Sequence, residues 1–413
     1  MKRKNNNLRL DFPVLSEKFQ GNEIIYLDNA ATSLTPMSVI IKISEYYYKY
    51  SSNIHRGSYI TSMIVSDLYE NTRLDVCRYI GAKNSSDIIF TKGATESINL
   101  VASSFVDDQM SMSDEILITI MEHHANIVPW QELCRKKGCS LKYIYLNKST
   151  DIDINNLLLK ITKKTKFVSL SHVSNVLGTV NPIKFLSLYA RIKKKIIMVD
   201  GSQAISHIKV DISSINPDFY VFSGHKCYGP TGIGVLYIKE NLIDMMKPYQ
   251  TGGGGVLSVN LKNTDFADAP QRFEVGTPNI SGVIGFKESI QYINRASIET
   301  ISSFERSVML YTENMLSNVK SVATINFPQK RIGIFPLKIS NIHPHDVSTI
   351  LDREGIAVRG GFLCAEPLLN YLRTGPVTRV SLSFYNNNDE IDKLKNSLEK
   401  LIRIFAYDNT RNK

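Results

Sequence analysis

The sequence predicts an α/β protein, with a mainly parallel central sheet covered by helices on both faces and a smaller C-terminal α+β lobe. Three observations carry that prediction. Short runs rich in β-branched and aromatic residues alternate with helical stretches through most of the chain. Polar clusters stand where those runs end, and after roughly residue 295 the rhythm changes. At 413 residues the chain also exceeds what one hydrophobic core usually holds, so two lobes are expected.

Taken in order, the strand readings are Asp87 to Thr91, Glu115 to Ile120, Lys166 to Leu170, Ile196 to Asp200, Asp218 to Phe222 and Gly234 to Ile238. Strands alternating with helices make a parallel sheet covered on both sides. Ligands in such sheets bind where strands end and loops begin. The clusters Thr91-Lys92-Gly93, Ser171-His172, Asp200-Gly201 and Ser223-Gly224-His225-Lys226 fall at those ends, so several strands converge on one site. Gly252 to Gly255 open a Gly/Asn/Asp-containing stretch reaching about Pro270, which reads as a long functional loop. Beyond it come a long helix, a strand Ile332 to Lys338, a helix His345 to Glu354, strands Ile356 to Arg359 and Arg379 to Ser383, and a last helix from Asn388. The expected organisation is an N-terminal extension (1–22), a large domain (23–295) and a small α+β domain (296–413).

Composition narrows the function. The formal charge is +10, but the lysines are scattered, with only short clusters such as Lys163-Lys164 and Lys193-Lys194-Lys195. That pattern reads as a solvated surface and not as a nucleic-acid footprint. Apolar runs such as Ile116 to Met121 are far too short to span a bilayer, and the basic start Met1 to Lys4 leads into polar asparagines. No membrane partner is expected. Five cysteines (Cys77, Cys134, Cys139, Cys227 and Cys364) form no CxxC pair, which argues against both a disulfide framework and a metal site and fits a reducing cytoplasm.

The chemistry sits in a constellation. Asp200 closes the apolar run Ile196 to Val199, and Lys226 follows 26 residues later, past the next strand. Ser223 and His225 precede that lysine, and Gly93-Ala94-Thr95 opens a helix whose free amides suit an anion. A lysine, a strand-end carboxylate, an imidazole and a phosphate cradle are what a pyridoxal-5′-phosphate site needs. Each alone has a plainer reading: surface lysine, helix N-cap, polar helix start. Their order and spacing favour the cofactor, with Lys226 as Schiff-base lysine and Asp200 paired to the pyridinium nitrogen.

Seven segments, two of which hold the Asp200 and Lys226 of that constellation, stand in unbroken order between about residues 20 and 405: Tyr26 to Thr32 (YLDNAAT), Asn53 to Gly57 (NIHRG), Glu122 to Gln131 (EHHANIVPWQ), His172 to Thr179 (HVSNVLGT), Val199 to Gln203 (VDGSQ), Phe222 to Gly232 (FSGHKCYGPTG) and Arg272 to Pro278 (RFEVGTP). Together they resemble the cysteine desulfurases of group II, the SufS/CsdA type, in the class V aminotransferase family. The resemblance implies a fold-type I, aspartate aminotransferase-like homodimer that takes sulfur from L-cysteine, leaves alanine, forms an enzyme persulfide and hands sulfur to an acceptor protein, as in iron–sulfur cluster assembly. It implies that Lys226, Asp200, His123 and Gln203 hold the cofactor ring, with His123 stacked on it and Gln203 at the phenolic oxygen. Ala94, Thr95, Ser223 and His225 would lie around the phosphate, and Thr277 would reach the phosphate of the neighbouring subunit. Asn175, Arg379, Arg359 and His55 would surround the substrate, and Cys364 would accept its sulfur. Arg379 suits that place physically, since a planar guanidinium grips a carboxylate with two parallel hydrogen bonds. Cys227, beside Lys226, reads as packing.

Two positions depart from the family pattern. The family motif Arg-x-Gly-His-His-Cys-Ala has Phe362 and Leu363 here in place of the two histidines. Losing two imidazoles removes proton carriers beside the thiol and makes its surroundings apolar, which lowers the thiolate fraction. Ala94 stands where the family commonly has Thr, a loss of about one hydrogen bond to the cofactor. These departures leave open a lyase acting on selenocysteine or cysteine sulfinate, and a cofactor-binding scaffold for a sulfur-transfer partner.

Overall fold

The computed structural model of the protein describes residues 8–19, 21–325 and 328–411. Its central sheet has seven strands: β1 (Ile88–Thr91), β2 (Glu115–Thr119), β3 (Ser140–Ile144), β4 (Thr165–Ser171), β5 (Ile196–Asp200), β6 (Phe219–Ser223) and β7 (Gly234–Ile238). All but β3 match the sequence reading to within a residue at either end. The strand order is β1-β7-β6-β5-β4-β2-β3. Strands β2 to β6 pair in parallel, whereas β7 runs antiparallel to both β6 and β1. The connection from Ser223 to Gly234 is too short for a helical crossover, so the chain has to turn back on itself.

Alternate residues of the strands feed two cores. Ile197, Val199, Tyr220, Phe222 and Val235 face one apolar cluster, while Met198, Phe219, Val221 and Leu236 face the other. With both faces buried, the strands are near-continuous apolar runs, and their chemistry is confined to their ends. The sequence does not announce β3 because it is an edge strand. Its residues Ser140 and Lys142 are exposed, and only Ile144 is fully buried.

The C-terminal sheet comprises β8 (Val322–Thr324), β9 (Ile334–Ile339), β10 (Arg359–Gly361) and β11 (Val377–Ser381), in the order β8-β9-β11-β10. A separate core backs it, in which Phe335, Leu337 and Val380 of the sheet meet Ile391, Leu394, Leu398 and Leu401 of the last helix. Ile25 and Leu27 join that core, and Ile25–Tyr26 pairs in parallel with Ile356–Ala357. The N-terminal stretch is also anchored: Phe12 is fully buried and packs edge-on to Tyr228, Tyr292 and Phe384. The stretch read as a long loop contains an antiparallel hairpin, Val256–Val259 with Thr264–Phe266. Among the described residues no helix is long and apolar enough to cross a membrane.

Candidate active site

At the C-terminal ends of β4, β5 and β6 the chain leaves a cavity of about 200 Å³, walled on the far side by Arg359, Leu363, Cys364 and Arg379. It brings together Ala94, Thr95, His123, Asn175, Asp200, Gln203, Ser223, His225, Lys226, Arg359, Cys364 and Arg379. His55 and Thr277 lie outside it within one protomer. His55 Nε2 meets Glu70 at 3.1 Å, and Thr277 Oγ1 accepts from Asn53 at 3.3 Å; both residues are exposed. The segment leading to Thr277 is pinned by a buried ion pair in which Arg73 Nη1 donates to Glu274 at 2.6 Å.

Lys226 sits on a single helical turn, Gly224–Lys226, directly after β6. Ser206 Oγ donates to its carbonyl at 2.8 Å, and the Ser33 and Thr32 hydroxyls donate to that of His225 at 2.9 and 3.1 Å. Burial drives the Lys226 ammonium below the ordinary lysine value; Asp200 opposes this, and Arg379 adds to it. That direction favours the nucleophilic, unprotonated form of the amine relative to a surface lysine. Asp200 at the tip of β5 is 8 % exposed, and Ser202 donates to its Oδ1 from both amide and hydroxyl, at 2.9 and 2.6 Å. Sequence reasoning missed Ser202, which fixes that carboxylate from two residues away.

His123 caps the turn His124–Asn126, its Nδ1 accepting from the Ala125 amide at 3.0 Å. Burial, then the charges of Lys226 and Arg379 among others, hold its pKa down to about 3, so the ring over the pocket is uncharged. Gln203 is oriented by its Nε2, which donates to the Ala30 carbonyl at 2.6 Å. At the other end of the cavity, helix α1 (Ala94–Val101) begins with the Ala94 amide donating to Ser223 Oγ at 2.8 Å. That approach depends on two glycines: a Cβ on Gly234 would stand 2.4 Å from Gly93 Cα, so β7 could not lie so close to the start of α1.

The opposite wall is ionic. Arg379, 2 % exposed, donates from Nη1 to the Asn175 carbonyl at 3.0 Å and from Nη2 to Asp28 at 2.8 Å. Arg359 donates to the second oxygen of Asp28 at 3.0 Å. Asp28 is a site residue that sequence reasoning missed, although it lies inside the YLDNAAT segment. Asn175 Nδ2 in turn donates to the Leu363 carbonyl at 2.8 Å, next to the exposed Cys364. Phe362 packs partly buried against the main core, and Leu363 is 7 % exposed. Cys227 is fully buried, its thiol pushed up to about 12 by burial, in keeping with a packing role.

A family model described as aminotransferase class-V matches residues 25–394. The chain belongs to the class-V aminotransferase family. Within this class-V family it is 42 % identical over 404 residues to a probable cysteine desulfurase of Staphylococcus aureus, covering 98 % of each chain. A probable cysteine desulfurase of Halalkalibacterium halodurans is 41 % identical over 396 residues, 96 % of this chain and 97 % of the relative. Among solved structures, the apo cysteine desulfurase of Thermococcus onnurineus superposes with a TM-score of 0.91 at 37 % identity, covering 96 % of this chain and 98 % of that one. The cysteine desulfurase CsdA of Escherichia coli, in an S-sulfonic acid form, gives 0.90 at 32 % identity over 97 % and 98 %. The expected fold-type I architecture of this class-V protein is thus the one observed.

Proposed function

We propose that this chain is a pyridoxal-5′-phosphate-dependent cysteine desulfurase, converting L-cysteine to L-alanine with transfer of the sulfur to Cys364. The observation that carries the proposal is the meeting of Lys226, Asp200, His123, Arg379 and the exposed Cys364 around one cavity. The names of the similar chains point the same way.

The residues fit the cofactor on their own chemistry. Lys226 offers an amine kept toward neutrality, Ser202 engages only one oxygen of Asp200, and the start of α1 with Thr95, Ser223 and His225 makes a polar end for an anion. Bound there, pyridoxal phosphate supplies an electron sink that lets bonds at the carbons of an attached amino acid break. Lys226 would be the residue that holds the cofactor, and its Nζ would carry the proton that leaves the substrate's α-carbon. Asp200 would be the partner for the ring nitrogen, and the uncharged His123 ring would lie against the cofactor without charge repulsion. Arg379, whose Nε has no partner among the described residues, takes the substrate carboxylate. The Cys364 thiolate attacks the substrate's sulfur: an S–S bond forms, the C–S bond breaks with its electron pair left on the β-carbon, and that carbon takes a proton to become the methyl of alanine.

His55 and Thr277, exposed and outside their own pocket, are assigned to the partner's site in a two-fold homodimer. The exposure of Cys364 suits delivery of sulfur to an acceptor protein, and a cytoplasmic enzyme is the natural setting for a persulfide. The test is anaerobic incubation with L-cysteine and a reductant, assaying alanine and sulfide together, with Cys364→Ala in parallel. Equimolar products that vanish in the variant are expected. Unchanged cysteine turnover in Cys364→Ala would rule the persulfide route out.

A further inference from the structure

Leu363 and Cys364 both adopt left-handed backbone, each with φ of 55°. Two consecutive non-glycine residues persist there only when the surroundings over-determine them. Four hydrogen bonds do so. Asn175 takes the Leu363 carbonyl at 2.8 Å, and the Ala365 amide donates to the Phe362 carbonyl at 2.9 Å. The other two belong to one residue, His124: its backbone amide donates to the Cys364 carbonyl at 2.7 Å, and its ring Nε2 accepts from the Glu366 amide at 3.2 Å. The Glu366 amide opens the short helix Glu366–Tyr371, where it has no intrahelical acceptor. His124 therefore caps that helix across 242 positions of sequence while gripping the Cys364 carbonyl just ahead of it.

His124 has no task in the cofactor or substrate chemistry. We propose that His124 is a positioning residue for Cys364, holding the nucleophile loop in register with the turn that carries His123. Because His123 and His124 are covalent neighbours, the thiol and the ring facing the cavity are set against each other through a single peptide unit. The role requires an acceptor at Nε2, so the ring carries its proton on Nδ1 and serves through geometry and not proton transfer. This inference rests on the reading of Cys364 as sulfur acceptor.

His124→Leu keeps the backbone bond and removes the ring acceptor; His124→Gln places an amide oxygen at nearly the same reach. On the cofactor-loaded enzyme, hydrogen–deuterium exchange of residues 363–371 and iodoacetamide labelling of Cys364, followed by mass spectrometry, report the loop apart from turnover. The expected result for His124→Leu is exchange faster by about fivefold, the weight of one net hydrogen bond. A several-fold fall in kcat for alanine formation should accompany it, with KM and the cofactor spectrum unchanged, and His124→Gln should restore both. Unaltered exchange and labelling in His124→Leu would overturn the proposal, as would a Gln variant that restores exchange but not kcat, which would make the ring a proton carrier. Cys364→Ala, run alongside, separates the two readings. If it retains turnover the sulfur-acceptor reading fails, while the exchange data still judge the clamp.

Discussion

Arg379 donates from Nη2 to Oδ1 of Asp28 at 2.8 Å, a pair whose side chains are only 2 % and 14 % exposed. Asp28 also accepts from the half-exposed Arg359 at 3.0 Å, so one carboxylate fixes two guanidinium groups on the substrate side of the cavity. Breaking a buried pair from one side leaves an uncompensated charge, a loss of about 3 kcal/mol. Asp28→Asn should lose stability on that order, read as a lower urea midpoint. Arg379→Lys keeps the charge but not the planar fork, and should raise KM for L-cysteine about tenfold or more. A KM within twofold of the parent would remove Arg379 from the substrate.

Lys226→Ala should leave a folded protein that no longer holds pyridoxal phosphate covalently, so that the visible absorbance of the purified protein disappears and the cofactor is lost on dialysis. Asp200→Asn should retain the cofactor, since Ser202 and Lys226 remain, but slow alanine formation by several orders of magnitude as the ring nitrogen loses its proton. Visible absorbance surviving in Lys226→Ala would overturn the central assignment of the site.

Most of this site was legible because its residues mark strand ends. Asp200, Ser223 and Lys226 follow runs so apolar that a polar residue there has to face the sheet's open end, and the 26-residue spacing sets two neighbouring strands. What stayed hidden acts across long sequence separations or through backbone. Asp28 reaches Arg379 over 351 positions, and the His124 amide serves the Cys364 carbonyl without any side-chain signature. Phe12, one buried ring in a stretch too short to show a period, has nothing to announce it, and β3 shows too few apolar residues because its outer edge is wet.

Histidines in and beside the site make the protein acid-sensitive in a definite window. Burial lowers His172 to about 4, and burial with Lys226 lowers His225 to about 4. Each folded value lies below the unfolded value of roughly 6.5, so between them the unfolded chain binds protons that the native state refuses. Stability is full above about pH 6.5 and falls as pH drops toward the folded values. For His172, 7 % exposed with Nδ1 at 2.9 Å from the Tyr220 hydroxyl, the loss between about pH 7.5 and 5.5 is about 1.4 kcal/mol. Urea midpoints at the two pH values should show His172→Gln losing less than the parent; equal losses would exclude the assignment.

Leu363 offers the sharpest test of the altered nucleophile motif. It holds φ at 55°, a region that histidine visits more readily than a γ-branched aliphatic residue, and it lines the cavity beside Cys364. Leu363→His exchanges buried apolar area for an imidazole next to the thiol, so a stability loss of about 1–2 kcal/mol is expected. In return the imidazole supplies a local base, and the rate of Cys364 alkylation at neutral pH should rise several-fold, with faster alanine formation if thiolate supply limits the reaction. Phe362→His provides the contrast. Phe362 packs against the main core, so its replacement should cost stability without a comparable gain in alkylation. Equal alkylation rates in the parent and Leu363→His would show that thiolate supply at Cys364 does not depend on the residue before it.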